Sequence, residues 1–276
     1  MASERPDRQP SADPSAADPL AHWPDRAPLY DGDRLLLVFS RVEALREGRP
    51  WVDGVWRPPG VSIAEAADAA LTTFAGHAFS TFDHTLADAL VDLDATELRH
   101  AVGMTHALAA LPEVAVDPPL AISTMTADLL LDHAAELGEV NAAAYDAGHP
   151  DHAHPDAAAA AAELVLFARG EILGPVLPAS TLATWEGRPV GACVVVDRGG
   201  DPPDEGPWVG DVFRDPRLPV RGIGAALIAG SLARARDLGL PAVGLVVTHA
   251  NASAARLYRR LGFTQTDEAW TVLLPG

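Results

Sequence analysis

Residues 211–227 read DVFRDPRLPVRGIGAAL, and the predicted fold is built outward from this stretch. An apolar, strand-like run over 208–213 leads through a Pro-rich turn into a helix predicted over 221–238. Gly222 and Gly224 leave room for backbone N–H groups to approach a bulky anion. Because a first helical turn has unpaired amides and the positive end of the helix dipole, the pattern indicates a pyrophosphate-binding loop. A tight strand-to-helix connection without a ligand has the same pattern, so this stretch alone does not decide the function.

The residues that follow add a second strand and a second helix. Residues 242–247 (AVGLVV) form an apolar run that is typical of a parallel strand covered on both faces. One helix separates the two strands, so a strand, helix, strand unit with a right-handed crossover is predicted. Asn251 is a predicted N-cap and Gly262 a predicted helix stop. The residues between them that share one helical face are Ala254, Leu257, Tyr258 and Leu261.

Together these two stretches resemble the coenzyme A site of the GNAT acetyltransferase superfamily. The later family pattern, N-x-x-A-x-x-L-Y-x-x-x-G-F, is matched in full over 251–263. The earlier pattern, V-x-P-x-x-[Q/R]-x-x-G-x-[G/A], is matched in part. Pro216 and residues 222–224 fall into place without a gap, whereas Pro219 stands at the Gln/Arg position and Arg214 at an apolar one.

The resemblance implies a fold and a cofactor. We expect an α/β protein with a mixed sheet, the GNAT acyl-CoA N-acyltransferase fold, with acetyl-CoA as co-substrate and no metal. The backbone over 220–225 cradles the cofactor in the gap-free alignment, and also in the alternative that aligns Arg221 by inserting residues after Pro216. The residues implied to bind it are Val212, Phe213, Arg214, Val220, Arg221, Gly222, Ile223, Gly224, Ala225, Asn251, Ala254 and Tyr258.

The reaction that the resemblance implies is acetyl transfer by direct attack of a primary amine. An alkylammonium has a pKa near 10.4, so only about four molecules in ten thousand are neutral at pH 7 and a base is needed. Asp211 is the first candidate base, and Glu205 and Asp215 are weaker ones; a solvated or loop-capping acid is the alternative for each. A backbone N–H within 212–214 is expected to stabilise the oxyanion. The resemblance assigns Tyr258 as the general acid for the leaving thiolate, the alternative being a hydroxyl that only packs on the cofactor sulfur.

The chain is predicted to contain two domains. The predicted segments are a disordered tail (1–28), a small α+β domain (29–111), a linker (112–119) and the catalytic domain (120–276). The elements predicted in the small domain are strands over 33–40 and 51–57 and helices over 63–79, 85–90 and 95–111. A capping box of Ser62 and Glu65 is predicted to begin the first of these helices. The small domain resembles a degenerate GNAT copy of a tandem protein, and an unrelated packing domain is the alternative.

The composition restricts the partners of the chain. The formal net charge is −18 and all 20 basic residues are arginine, so nucleic acid is not an expected ligand. The negative field favours a cationic small-molecule amine, although solubility alone explains an acidic surface equally well. No apolar run is long enough to cross a bilayer and no signal peptide begins the chain, so a cytoplasmic protein without a membrane partner is expected. The resemblance is compatible with a homodimer and does not fix the oligomeric state.

Two further features are candidates for chemistry. Cys193 lies in an apolar run, where a buried, inert thiol is expected. Residues 149–156 (HPDHAHPD) are rich in His and Asp, but prolines interrupt them and no ligand pair has helical spacing, so no metal site is predicted. The resemblance makes this segment a wall of the acceptor site, and a solvated loop is the alternative. A non-catalytic acyl-CoA binder and a protein N-acetyltransferase stay open beside the small-molecule enzyme.

Overall fold

A computed structural model describes residues 26–46, 49–145, 147–149, 151–152, 154–197 and 206–276. Within these residues the chain forms two compact units. The N-terminal unit contains residues 26–102 and 267–276, and the C-terminal unit contains the described residues of 103–266. Most of the predicted disordered tail, residues 1–25, lies outside the described residues.

Strands and helices alternate through both units, as expected for an α/β protein with a mixed sheet. The strands are β1 (Ala27–Asp31), β2 (Arg34–Arg46), β3 (Arg49–Trp56), β4 (Ala78–Thr81), β5 (Thr96–His106), β6 (Leu120–Thr124), β7 (Thr181–Trp185), β8 (Arg188–Val196), β9 (Trp208–Arg214), β10 (Val243–Thr248) and β11 (Thr264–Leu273). The helices are α1 (Ile63–Thr73), α2 (His84–Asp92), α3 (Ala127–Asp132), α4 (Ala134–Ala144), α5 (Ala157–Ala168), α6 (Ile223–Asp237) and α7 (Ala252–Arg260).

The N-terminal unit packs α1 and α2 against a small mixed sheet. β1, β2 and β3 are antiparallel neighbours, β3 pairs with β4 in parallel, and β4 pairs with β11 antiparallel. The predicted capping box is confirmed, since the Ser62 hydroxyl accepts from the Glu65 amide and the Glu65 carboxylate accepts from the Ser62 amide at 2.9 Å. The large side chains of the core are Leu37, Phe39, Val52, Phe74, Phe79, Leu86, Leu90 and Val272.

Three predictions for this part of the chain are corrected by the structure. The helix predicted over 63–79 ends at Thr73, and β4 begins at Ala78. The prediction of a helix over 95–111 is wrong, because Thr96–His106 forms strand β5. Residues 101–104 are all buried in succession, and burial on both faces of a strand overrides the helical propensity of Ala, Leu and Met. The predicted catalytic domain ran to residue 276, but β11 pairs with β4 through residues 270–273, and residues 267–276 belong to the N-terminal unit. The observed units therefore differ from the predicted domains.

The C-terminal unit is a layered sheet with helices on both faces. Its strand order is β6-β7-β8-β9-β10, antiparallel as far as β9, with β10 parallel to β9. Side chains alternate across a strand, so Thr181 of β7 faces α6, where its hydroxyl donates to the Leu227 carbonyl at 3.0 Å. The neighbouring Leu182 and the residues Val194 and Phe213 instead pack with α3, α4 and α5.

Most elements of this unit agree with the sequence predictions. The helix predicted over 221–238 is Ile223–Asp237, and the strand predicted over 242–247 is Val243–Thr248. Residues 127–144 form two helices, α3 and α4, that are separated at His133, and Leu130 and Leu137 pack into the same core. No helix in the described part of the chain is both long and apolar enough to span a bilayer.

Candidate active site

A β-bulge in β9 places the Asp211 side chain on the face of the sheet that α4 and α5 cover. Val209 pairs with Val195 and Asp211 with Val194, so Gly210 is an extra residue in β9. A side chain at Gly210 is excluded, because a Cβ there would lie 2.7 Å from Cε1 of Phe167 in α5. The bulge brings Asp211 and the following residues into reach of α4 and α5.

β9 and β10 separate beyond the bulge. The pairing of the two strands in the described residues is confined to Trp208 with Gly244, where the Gly244 amide donates to Pro207 O at 2.9 Å. On the other edge of β9, the Asp215 amide donates to Val190 O at 2.7 Å. Since hydrogen-bonded pairs alternate along an antiparallel ladder, the N–H groups of Val212 and Arg214 point away from β8. The N–H of Val212 donates to the Asp211 carboxylate, which leaves the N–H of Arg214 directed toward the gap beside β10. This gap presents main-chain groups to an extended ligand.

The N-terminus of α6 is open. Gly222 has a φ of 88°, and no side chain caps the helix. The first intrahelical bond runs from the Ala226 amide to Gly222 O at 2.8 Å, so the amides of residues 223–225 have no partner within the helix. Ile223 and Ala225 are buried, while Val220 is half-buried and Arg221 exposed. A Cβ at Gly224 would lie 3.8 Å from Leu257, an ordinary contact.

The N-terminus of α7 is held to residue 151 of the His- and Asp-rich segment. Asn251 caps α7 as predicted, with its amide oxygen 3.1 Å from the Ala254 amide. Its Nδ2 donates to the Asp151 carboxylate at 2.7 Å, and the Thr248 hydroxyl donates to the same carboxylate. Both ends of the Asn251 side chain are therefore occupied. The predicted stop at Gly262 is also confirmed, by a φ of 96°.

The Asp211 carboxylate is held by a side chain of α4 and by the side chain of Tyr145, the C-cap residue of this helix. Asn141 Nδ2 donates to its Oδ2 at 2.6 Å, and the Tyr145 hydroxyl lies 3.2 Å from its Oδ1. The Tyr145 hydroxyl also donates to Val212 O at 2.7 Å. These contacts place Asp211 beside the gap at β10.

The environment of Asp211 makes it a proton acceptor near neutral pH. Burial, and next the negative charge of Glu163, raise the pKa of Asp211 from 3.8 to about 7, against the opposing effect of the Tyr145 hydrogen bond. Glu163 contacts His154 at 3.0 Å, and this hydrogen bond raises the pKa of His154 despite its partial burial. A carboxylate with a pKa close to the working pH has the property that general-base catalysis requires.

Tyr258 is buried with its ring against Phe263, the ring centroids being 5.7 Å apart. Burial raises the pKa of Tyr258, and the nearby negative groups, among them Asp151 and Asp211, raise it further. No hydrogen bond joins its hydroxyl to a residue within the described ranges. The phenol therefore stays protonated at neutral pH and is available to a ligand.

The other candidates are less suited to catalysis. Asp215 is bound by Arg217 at 2.7 Å, which lowers the pKa of Asp215 and makes it a poorer base. Glu205 lies outside the described residues. Cys193 is buried as predicted, and burial raises the pKa of its thiol to about 12. Among the residues that the structure describes, no group of three or more His, Cys, Asp or Glu side chains is arranged to hold a metal.

Asn141, Tyr145 and Glu163 are not among the site residues predicted from the sequence, and His154 is predicted only as part of the His- and Asp-rich segment. Asn141 and Tyr145 are one turn apart on α4, and they are polar positions in a helix otherwise rich in Ala. That spacing was the available signal, but it gives no indication of a contact with Asp211, which is 70 residues away along the chain.

Residues 134–263 match the family model described as the acetyltransferase (GNAT) family. These residues form a GNAT-family domain. The GNAT domain includes the bulge in β9, the open end of α6 and all of α7, so the matched residues are those that build the site. No curated protein matches the chain in sequence.

Solved structures share the fold at low sequence identity. A GCN5-related N-acetyltransferase from Sphaerobacter thermophilus is 17% identical, with 87% of this chain and 76% of that chain covered and a TM-score of 0.58. A GCN5-related N-acetyltransferase from Kribbella flavida is 18% identical, with 92% and 91% covered and a TM-score of 0.58. A tandem GNAT protein from the clavulanic acid biosynthesis pathway is 16% identical, with 92% and 85% covered and a TM-score of 0.58. These likenesses concern the fold, and the GNAT domain supports acyl transfer in general.

Proposed function

We propose that the chain transfers an acetyl group from acetyl-CoA to the primary amine of a small, cationic molecule by direct attack. The observation that carries the proposal is the position of Asp211. A carboxylate with a pKa of about 7 lies at the bulge of β9, beside the gap to β10, in a domain of an acyltransferase family.

Coenzyme A fits the open main-chain groups of the domain. The unpaired amides at the start of α6 suit its diphosphate, since a helix N-terminus attracts anions. Its pantetheine arm carries two amides that can pair with the free edge of β9, as an added strand does. Tyr145 already occupies Val212 O and Asp211 accepts from the Val212 N–H, so the arm would pair with the main chain of Arg214. Asn251 is proposed to act as a helix cap, because both ends of its side chain are engaged.

Asp211 is the proposed general base. A proton moves from the acceptor ammonium to its carboxylate, and the neutral amine then attacks the thioester carbonyl. Because the pKa of Asp211 is raised to about 7, this transfer is roughly 4 kcal/mol less unfavourable than transfer to an aspartate with a pKa of 3.8. The neighbouring carboxylates of Asp151 and Glu163 add to the attraction for a cationic acceptor.

Two groups complete the proposed reaction. The N–H of Arg214 stabilises the negative charge that grows on the carbonyl oxygen, because the N–H of Val212 already donates to the Asp211 carboxylate. Tyr258 gives its proton to the thiolate of coenzyme A as the C–S bond breaks. A phenol with a raised pKa is a weaker acid than a thiol near 8.5, by at least roughly 2 kcal/mol, so proton donation must accompany C–S cleavage.

The proposal also covers the cellular location and the N-terminal unit. A cytoplasmic location agrees with the use of acetyl-CoA. The N-terminal unit is proposed to be a degenerate GNAT copy, since the likeness to the tandem GNAT protein covers 92% of the chain.

The test is acetyl-CoA turnover, measured as free thiol release, across aminoglycosides, polyamines, amino acids and peptides. We expect turnover with a small cationic amine and acetylation of its nitrogen, shown by mass. Tight coenzyme A binding without turnover of any amine would favour a non-catalytic binder. Absence of coenzyme A binding by calorimetry would contradict the whole assignment.

A further inference from the structure

We propose that Asn141 and Tyr145 are positioning residues that hold the Asp211 carboxylate by both of its oxygens while it receives the proton of the acceptor. The inference rests on the proposed function and adds two residues to it. It is carried by the contacts of one turn of α4 with the bulged strand β9.

Asn141 has a single side-chain hydrogen bond within the described residues. Its side chain is fully buried, its Nδ2 donates to Asp211 Oδ2 at 2.6 Å, and its Oδ1 has no partner there. A buried polar atom without a partner costs about 1–3 kcal/mol, so an apolar residue at position 141 would suit the core better. The Asn141 side-chain amide is therefore explained by its hydrogen bond to Asp211.

Tyr145 can serve Asp211 in both of its charge states. Its hydroxyl lies 2.7 Å from Val212 O and 3.2 Å from Asp211 Oδ1, and it has one proton for these two acceptors. When Asp211 is ionised, the hydroxyl proton points between them. When Asp211 carries a proton on Oδ1, that proton is donated to the Tyr145 oxygen, and the Tyr145 proton is donated entirely to Val212 O.

No heavy atom has to move during this change. The N–H bond of the acceptor ammonium breaks, the Oδ1–H bond of Asp211 forms, and the Asn141 amide continues to donate to Oδ2. Every hydrogen bond around the carboxyl group is retained in the neutral state. A site that is organised in advance for both states avoids the reorganisation that water would undergo.

The other ionisable groups around Asp211 belong to several elements. They are Glu163 of α5, His154 before α5, Cys193 of β8, Tyr258 of α7 and Asp151 of the His- and Asp-rich segment. Glu163 raises and His154 lowers the pKa of Asp211, and neither is altered by the substitutions below. Donors to a carboxylate lower its pKa, so removal of either α4 donor will raise the pKa of Asp211.

The test compares Asn141→Leu and Tyr145→Phe with the unaltered protein and with Glu139→Gln, an exposed change on the same helix. Two quantities are measured: the titration of the Asp211 carboxyl carbon by ¹³C NMR, assigned with Asp211→Asn, and the pH dependence of kcat. We expect both variants to move the titration and the acidic limb of kcat upward by about one pH unit, with kcat lowered about fivefold at pH 7 because the ionised fraction of Asp211 falls. Glu139→Gln is expected to leave both unchanged.

The outcomes separate this proposal from the proposed function. An Asp211 titration that stays at the original pH in both variants would overturn the positioning role, whatever happens to kcat. A titration that moves while the acidic limb does not would overturn the link to proton transfer. If the unaltered protein acetylates no amine, the proposed function fails, while the titration still decides whether the two residues control Asp211. Should Asn141→Leu not fold, Tyr145→Phe gives the same decision.

Discussion

Replacing Asp211 with asparagine should make the protein more stable at alkaline pH while it abolishes most of the activity. The carboxyl group has a pKa of about 7 in the folded chain, and its ordinary value is 3.8. The folded state therefore prefers the neutral acid. Stability is highest when the group is protonated in both states, below pH 3.8, and it falls as the pH rises to about 7.

The magnitude follows from the width of this pH interval. Each pH unit between the two pKa values changes the free energy of unfolding by about 1.36 kcal/mol. The ionised Asp211 thus destabilises the fold by roughly 4 kcal/mol above pH 7. Asparagine is neutral throughout, and it can accept and donate hydrogen bonds with Tyr145 and Asn141 in the same place. The stability gained by Asp211→Asn should therefore grow by roughly 3 kcal/mol between pH 5 and pH 8.

Urea unfolding of both proteins at pH 5 and pH 8, followed by tryptophan fluorescence, measures this difference. Trp208 lies in the same strand as Asp211 and is buried, so its emission reports on this part of the chain. Asp132→Asn, at the exposed end of α3, is the matched control. A stability difference that is the same at the two pH values would refute the argument, because Asp211 would then ionise alike in the folded and unfolded chain.

Three further predictions concern the cofactor side of the site. Tyr258→Phe should lower kcat at least tenfold with little change in coenzyme A affinity, measured by thiol release and calorimetry; unchanged turnover over the whole pH range would remove Tyr258 from the reaction. Gly222→Ala should weaken coenzyme A binding and lower the free energy of unfolding by about 1 kcal/mol, because a residue with a side chain is strained at a φ of 88°. Calorimetry measures the first effect and urea unfolding the second. Asp151→Asn should raise the KM for acetyl-CoA more than it lowers kcat, because it weakens the hydrogen bonds that hold Thr248 and Asn251 at the start of α7. An unchanged KM for acetyl-CoA in steady-state kinetics would contradict this prediction.

The local sequence determined the elements that are proposed to bind the coenzyme. The Asn251 cap, the Gly262 stop and the helix after Gly222 depend on residues within one or two turns of each other, and all three are found as predicted. Local rules reach this far because a cap or a positive φ is decided by neighbouring backbone groups. The family pattern over 251–263 also predicted the fold, because a pattern that fixes so many positions over this length rarely matches by chance.

Tertiary structure alone decided the surroundings of Asp211, the formation of strand β5 and the pairing of strand β11. Residues 95–111 have the composition of a helix, and only burial on both faces makes Thr96–His106 a strand. Asp211 could be named from its position in β9, but its raised pKa comes from burial and from Glu163, and its two hydrogen bonds come from α4. Those groups are tens of residues apart in the chain, so no local pattern could bring them together. The acidity of a buried carboxyl group depends on everything packed around it, and that packing exists only in the folded protein.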